Sequence, residues 1–227
     1  MSRDNDAPTL YGIGLGPGDP DLVTRRAEEL VKGLPVLMAP FVGGRSRAAE
    51  VVLEINPDAT VVGFNAPMTR DPEERDREYG KAAATAEDLL REFDEVGMVT
   101  LGDPTLYSTV WHVVTRMRTE FNLELIPGIP AFLCCSARAG VPLTLDVGSC
   151  AIRTRSPEDE DLDAFEAIAL YKPDPEGVAR LLDAGYRVFL CRNLGWEGEE
   201  VVELKTEEDL EKIRGYLCTV IGIREES

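Results

Sequence analysis

The sequence holds few of the groups that hydrolytic and metal-dependent enzymes rely on. It has one histidine, His112, in 227 residues. A Ser–His–Asp triad would need that residue as its base, and a zinc centre would have to combine it with scattered thiols. The five cysteines are Cys134, Cys135, Cys150, Cys191 and Cys218. Their number is odd and none forms a C-x-x-C pair, so they predict neither a metal site nor a disulfide framework. Basic residues are also scarce, with 24 Lys and Arg against 42 Asp and Glu and a net charge of −18. Nucleic-acid binding rests on neutralising phosphates, so this balance argues against it. No apolar run approaches the roughly 18–20 residues of a membrane span. The opening MSRDNDAPTL lacks the basic-then-apolar layout of a secretory signal. The expectation is a soluble cytoplasmic protein.

What is present points to an ordered chain. Hydrophobic residues make up 44% and charged residues 29%, outside the composition of disorder. The length suits one large domain or two small ones. The acidic residues run along the whole chain, and Arg outnumbers Lys by 19 to 5. Such a chain repels itself unless salt screens it, which predicts a salt-rich cytoplasm and a halophilic source.

The first half alternates strand and helix patterns. Strands are predicted at Thr9–Leu15, Pro35–Met38, Thr60–Phe64 and Gly97–Leu101. Helices are predicted at Pro20–Lys32 (Asp19 as its cap), Ser46–Ile55, Asp71–Asp94 and Thr105–Thr119. This alternation implies an α/β fold with a parallel, doubly wound sheet, whose ligands sit at the carboxyl ends of strands. The second half is less regular. Strands are predicted at Leu123–Ile126, Ala167–Tyr171, Arg187–Cys191, Glu200–Leu204 and Gly215–Ile223. Helices are predicted at Ala131–Ala139, Pro175–Ala184 and Glu207–Ile213, with Asp146–Asp163 unplaced. A boundary within Arg116–Leu123 gives two α/β lobes, 1–118 with the parallel sheet and 119–227 with a mixed one.

Three turns follow predicted strands. The first, Gly12-Ile13-Gly14-Leu15-Gly16-Pro17-Gly18-Asp19, is not a dinucleotide fingerprint, because G-x-G-x-x-G places Pro17 or Asp19 where its last glycine belongs. Pro17 removes an amide that phosphate would use, and no G-K-[ST] run exists. The turn either approaches a phosphate-free ligand or touches none. In the second, Leu101-Gly102-Asp103-Pro104-Thr105-Leu106-Tyr107-Ser108, Asp103 is either a helix cap or an acceptor for a ligand's hydroxyl or ammonium donors. The third, Ile126-Pro127-Gly128-Ile129-Pro130-Ala131, is either a tight strand-to-helix turn or a neighbour of the second at a site.

In this order the turns resemble the tetrapyrrole methylase family. GIGLGPGDPDLVT is similar to its opening motif, LGDPTLYST to its middle loop and LIPGIPAFLCCSARAGVPL to its third motif, and the likeness continues through ALYKP and LCRNLG. Within the family, GDPTLYST is most similar to the enzymes that methylate carbon 20 of precorrin-2 or cobalt-precorrin-2. The resemblance implies two lobes with a cofactor cleft between them, a homodimer, S-adenosylmethionine as cofactor and a tetrapyrrole bearing eight carboxylates as substrate. Cobalt would come with the substrate, with no metal held by the protein.

Carried over position by position, the cofactor contacts fall on Pro17, Leu101, Gly102, Asp103, Leu106, Pro130 and Ala131. Tyr171 and Leu194 are the matching positions in the second lobe. Two positions depart from the pattern: Leu101 stands where many relatives have glycine, and Pro130 where many have a hydroxyl. Carboxylates of the substrate call for Arg forks, and the candidates are Arg45, Arg47, Arg70, Arg153 and Arg155. Asp19 and Tyr107 are candidates for the base that collects the proton lost from the ring carbon, a role water or substrate could also fill. His112 is expected to be packed or paired in its helix. The alternatives are a methylase for another ring carbon, a diphthamide-type protein methyltransferase and a non-catalytic S-adenosylmethionine-binding protein.

Overall fold

A computed structural model describes residues 7–69, 71–146, 148–154, 156–213 and 217–224. Two units partition the chain, residues 1–129 and 130–227. Arg70 and Arg155, both proposed above for substrate carboxylates, lie outside the described residues.

The first unit runs β1 (Thr9–Gly14), α1 (Arg25–Gly33), β2 (Leu37–Phe41), α2 (Arg47–Ile55), β3 (Val61–Asn65), α3 (Pro72–Glu92), β4 (Glu95–Thr100), α4 (Thr109–Val114) and β5 (Asn122–Ile126). The five strands are parallel in the order β3-β2-β4-β1-β5. The expected boundary at 118/119 falls too early. β5 pairs with β1 from Thr9↔Asn122 to Ile13↔Ile126, so the chain leaves the first sheet only after this strand. Along α3, Tyr79, Ala82, Ala83, Ala86 and Leu90 recur at helical spacing and bury one stripe. The stripe packs with Val110 and Val113 of α4 over Leu10, Met38 and Met98 of the sheet.

Two predicted helices are shorter than their patterns. Pro20–Lys32 divides into a 3₁₀ turn at Pro20–Leu22, capped by Asp19, and α1, whose first turn is capped by the Thr24 hydroxyl accepting from the Ala27 amide at 3.3 Å. Thr24 competes for the chain as a cap and restarts the helix. Thr105–Thr119 shrinks to α4, because Ser108 caps it through the Val110 amide at 3.1 Å and the residues before it are held in a loop.

The second unit runs α5 (Ala131–Ala139), β6 (Cys150–Arg153), α6 (Asp159–Ala164), β7 (Ala167–Leu170), α7 (Pro175–Asp183), β8 (Arg187–Arg192), β9 (Glu200–Leu204), a 3₁₀ turn at Glu207–Lys212 and β10 (Cys218–Ile223). Its sheet is mixed, in the order β6-β7-β10-β8-β9, with β6 parallel to β7 and the other pairs antiparallel. The unplaced stretch Asp146–Asp163 supplies β6 and most of α6. Val178 and Leu181 of α7 pack against Ile168, Leu170, Val188, Leu190 and Val220.

The expectation of no disulfide fails at one place. Cys135 on α5 and Cys191 on β8, both buried, are bonded with Cα atoms 5.7 Å apart across 56 residues of sequence. No local spacing could reveal this pair, since only the packing of α5 on the second sheet brings the thiols together.

Candidate active site

The strand order selects one place in the first sheet. β1 and β4 are neighbours. The chain leaves β1 for β2 beyond β4, and leaves β4 for β5 beyond β1. Connections departing in opposite directions make a switch point, where open α/β sheets bind ligands beyond the carboxyl ends of the strands. The turns after β1, β4 and β5 all lie at that end.

These three turns are locked together by backbone. The Leu15 amide donates to the Thr100 carbonyl at 2.9 Å. Gly16 and Gly102 exchange amide–carbonyl bonds at 3.2 and 2.7 Å. Glycine is required here by contact: a Cβ on Gly14 would stand 2.6 Å from the Gly128 nitrogen and 2.7 Å from the Gly102 oxygen. A Cβ on Gly128 would drive into that same Gly102 carbonyl. Gly16 and Gly102 also take φ of +70°, where a side chain is strained.

Asp103 closes the arrangement. One carboxylate oxygen accepts from the Thr105 amide at 2.7 Å and from the Thr105 hydroxyl, and the other accepts from the Gly128 amide at 3.1 Å. The carboxylate is therefore neither a helix cap nor an uncommitted acceptor. It ties the second turn to the third. Its remaining lone pairs can still receive a donor. Pro17 is buried in the first turn, while Leu101 and Leu106 are part-buried in the second. Asp19 is engaged by the Asp21 amide at 3.0 Å as a turn cap. Tyr107 is 52% exposed, with φ of +50°.

The sequence stretches 12–19, 101–108 and 126–131 contain no Lys or Arg. Carboxylates and carbonyls without a cation suit a positively charged, phosphate-free ligand and repel a phosphate. This donor set fits a sulfonium that carries an ammonium group.

In the second unit, β7 and β8 both run antiparallel to the intervening β10 and so end at one edge of the sheet. Tyr171 follows β7, and its amide donates to the Arg153 carbonyl at 2.9 Å. Leu194 follows β8, buried, just past Asn193 with φ of +50°. Pro130 and Ala131 open α5. Pro130 leaves that helix without a side-chain cap, which is the local consequence of having no hydroxyl there. Phe132 meets the Tyr171 ring edge-on at 6.1 Å. Tyr171 and Leu194 thus follow strands that end at one edge of the sheet, and Phe132, next to Ala131, reaches Tyr171.

The arginines separate. Arg45 is exposed beyond the carboxyl end of β2, where Gly43 and Gly44 (φ +57° and +80°) turn the chain and Val42 and Arg45 pair. It forms no ion pair with a described residue. Arg47 bonds Glu50 at 3.0 Å along α2. Arg153 grips buried Asp161 with two hydrogen bonds, one of 2.7 Å, and holds its carboxyl below the usual range. Arg153 is thereby a structural partner of α6. His112 stacks on Tyr79 at 4.8 Å and faces the Arg75 guanidinium at 3.3 Å, packed between helices as expected.

Sequence reasoning missed two features: the tie from Asp103 to Gly128 and the Cys135–Cys191 bond. The signal for the first was present, since each of the three turns carries a glycine within a few residues of its strand's end.

The family model for Tetrapyrrole (Corrin/Porphyrin) Methylases matches residues 9–210. A cobalt-precorrin-2 C(20)-methyltransferase of Salmonella typhimurium is 34% identical over 161 residues, covering 69% of this chain and 68% of that protein. A Methanocaldococcus jannaschii protein described as a probable cobalt-precorrin-2 C(20)-methyltransferase is 29% identical over 93% of this chain and 94% of its own. A precorrin-4 C(11)-methyltransferase of Pseudomonas aeruginosa is 31% identical over 68% of this chain and 59% of its own. Among solved structures, a uroporphyrin-III C-methyltransferase of Thermus thermophilus complexed with S-adenosylhomocysteine shares the fold. Its TM-score is 0.63 at 19% identity, over 94% of this chain and 96% of that one. Sequence motifs, switch-point loops and these likenesses converge: the chain belongs to the tetrapyrrole (corrin/porphyrin) methylases, enzymes that use S-adenosylmethionine to methylate tetrapyrroles.

Proposed function

We propose that this chain methylates carbon 20 of precorrin-2 or cobalt-precorrin-2 in cobalamin biosynthesis, as a cytoplasmic homodimer. The observation that carries the reading is the likeness to the Methanocaldococcus protein along almost the whole of both chains, joined by the higher identity to the Salmonella enzyme. Similarity to a precorrin-4 C(11)-methyltransferase favours carbon 11 as the second reading.

S-adenosylmethionine supplies an activated methyl group, so the protein's tasks are positioning and exclusion of water. Pro17, Leu101, Gly102, Asp103 and Leu106 are the proposed cofactor contacts of the first unit. Pro130, Ala131, Tyr171 and Leu194 are those of the second. Asp103 serves twice: it fixes the third turn through the Gly128 amide and offers negative charge toward a cationic ligand. Arg45, exposed and without an ion-pair partner among the described residues, is the proposed fork for a substrate carboxylate. Asp19 caps the turn after the first strand and stays a proposed candidate for the base.

The −18 charge supports a salt-rich cytoplasm, so the test is run at molar salt. Labelled S-adenosylmethionine is incubated with the protein and with precorrin-2, cobalt-precorrin-2 or precorrin-4, and the labelled carbon is located by NMR. Label at carbon 20 is the expected result, and the preferred substrate tells whether cobalt is already present. Label at carbon 11 of precorrin-4 overturns the first reading in favour of the second. Cofactor binding without transfer to any of the three overturns both.

A further inference from the structure

We propose that Tyr107 is a stacking platform for the tetrapyrrole ring, built by forcing its backbone into a left-handed turn. The proposal rests on the reading of this chain as a tetrapyrrole methylase and adds a residue and a role to it.

Among the described residues three non-glycines have positive φ: Tyr107, Asp146 and Asn193. Asp and Asn enter the left-handed region at low cost, because a short polar side chain can bond its own backbone. A tyrosine side chain cannot bond its own backbone in that way, and the conformation strains it. The loop imposes that strain from both sides. Upstream, the Leu106 amide donates to the Asp103 carbonyl at 3.3 Å, while the Asp103 side chain is fixed by Thr105 and Gly128. Downstream, Ser108 is committed as the cap of α4. Tyr107 is the joint between two anchored pieces, a position glycine would fill without strain.

The strain is not repaid by core packing, since the side chain is half exposed while the residues on either side of it in the loop are part-buried or buried. It lies in the loop that leaves the carboxyl end of β4 at the switch point, the loop whose Gly102 pairs with Gly16. An aromatic ring at that end of the sheet offers its face to a large conjugated macrocycle, which stacks on aromatic side chains in offset geometry. The role assigned to the phenol is its ring; its hydroxyl takes no part.

The test uses Tyr107→Gly and Tyr107→Phe in the full chain, with uroporphyrin III as a stable probe and precorrin-2 as a second. Tyr107→Gly is expected to melt no lower than wild type, because the strain is released. It should bind both tetrapyrroles at least about tenfold more weakly and S-adenosylmethionine with unchanged affinity. A merely structural tyrosine would give the reverse, lower stability with unchanged tetrapyrrole affinity. Tyr107→Phe should restore tetrapyrrole binding. Wild-type tetrapyrrole affinity in Tyr107→Gly overturns the proposal. So does a Tyr107→Phe protein that binds normally and has lost turnover, which would give the hydroxyl a proton to move. If wild type binds S-adenosylmethionine and neither tetrapyrrole, the substrate reading itself fails, and the platform falls with it.

Discussion

The two units hold their loops in different ways. In the first, five parallel strands send their carboxyl ends to one edge, and the turns there pack backbone on backbone through Gly14, Gly16, Gly102 and Gly128. In the second, the sheet is mixed and its segments are tied by side chains. Cys135 bonds Cys191, Arg153 grips Asp161, and Phe132 meets Tyr171. The difference teaches where each unit is fragile. Backbone contacts admit no added atom, whereas side-chain ties are lost one at a time and can be replaced.

The largest effect is expected in the first unit. Gly128→Ala places a methyl against the Gly102 carbonyl; the Gly102 turn is held by its pair with Gly16, and the Gly128 turn can retreat only by giving up the Asp103 bond to its amide. A loss of about 4 kcal/mol is expected in denaturant unfolding. An unchanged midpoint would dissolve the contrast. In the second unit, Cys135→Ser removes the cross-link over 56 residues and should cost about 3 kcal/mol. Free-thiol counting on the unfolded, unreduced protein checks that the bond exists.

The Arg153–Asp161 tie predicts a pH dependence. Hydrogen bonds from Arg153 lower the Asp161 carboxyl, against the opposing effect of its burial. Its folded pKa is therefore below the unfolded value of about 3.9, so the unfolded state binds the proton first. The stabilisation is complete above that value and is lost as pH falls from about 4 toward the folded pKa. Asp161→Asn should cost about 1–2 kcal/mol at neutral pH and flatten the acid limb of an unfolding series from pH 7 to 2. A parallel acid limb would deny the tie its charge. The smallest effect has the opposite sign. Gly80 lies inside α3 with open space where a Cβ would go. Gly80→Ala should therefore add about 0.5–1 kcal/mol, which thermal unfolding resolves. Set beside Gly128→Ala, it shows that contact decides which glycines matter.

Legibility in the sequence followed the same division. In the first unit each element's pattern is local, and the glycine turns sit beside the strands they end, so the parallel sheet and the edge where its turns meet could be read directly. The errors there came from competing caps. Thr24 restarted a helix that hydrophobic spacing would have run straight through, and Asp103 bonded a residue 25 positions away in place of the helix after it. In the second unit the long-range ties were invisible. Nothing near Cys135 announces Cys191, and an Arg suited to a substrate carboxylate reads the same as one committed to Asp161. Arg45 survived as a candidate because its two-glycine turn faces it outward. The family motifs propose the cofactor contacts residue by residue, which spacing alone could not have done.

The central claim is that the first unit's locked turns form the cofactor surface, with Asp103 as their tie. Calorimetric titration of S-adenosylmethionine into wild type and Asp103→Asn tests it most directly. Asparagine keeps the size of the side chain and loses the charge and one of the acceptors that Thr105 and Gly128 use. The account predicts binding to wild type and an affinity at least about tenfold lower in the variant, a loss of one charge-assisted contact. Equal affinity in a variant shown to be folded would contradict it.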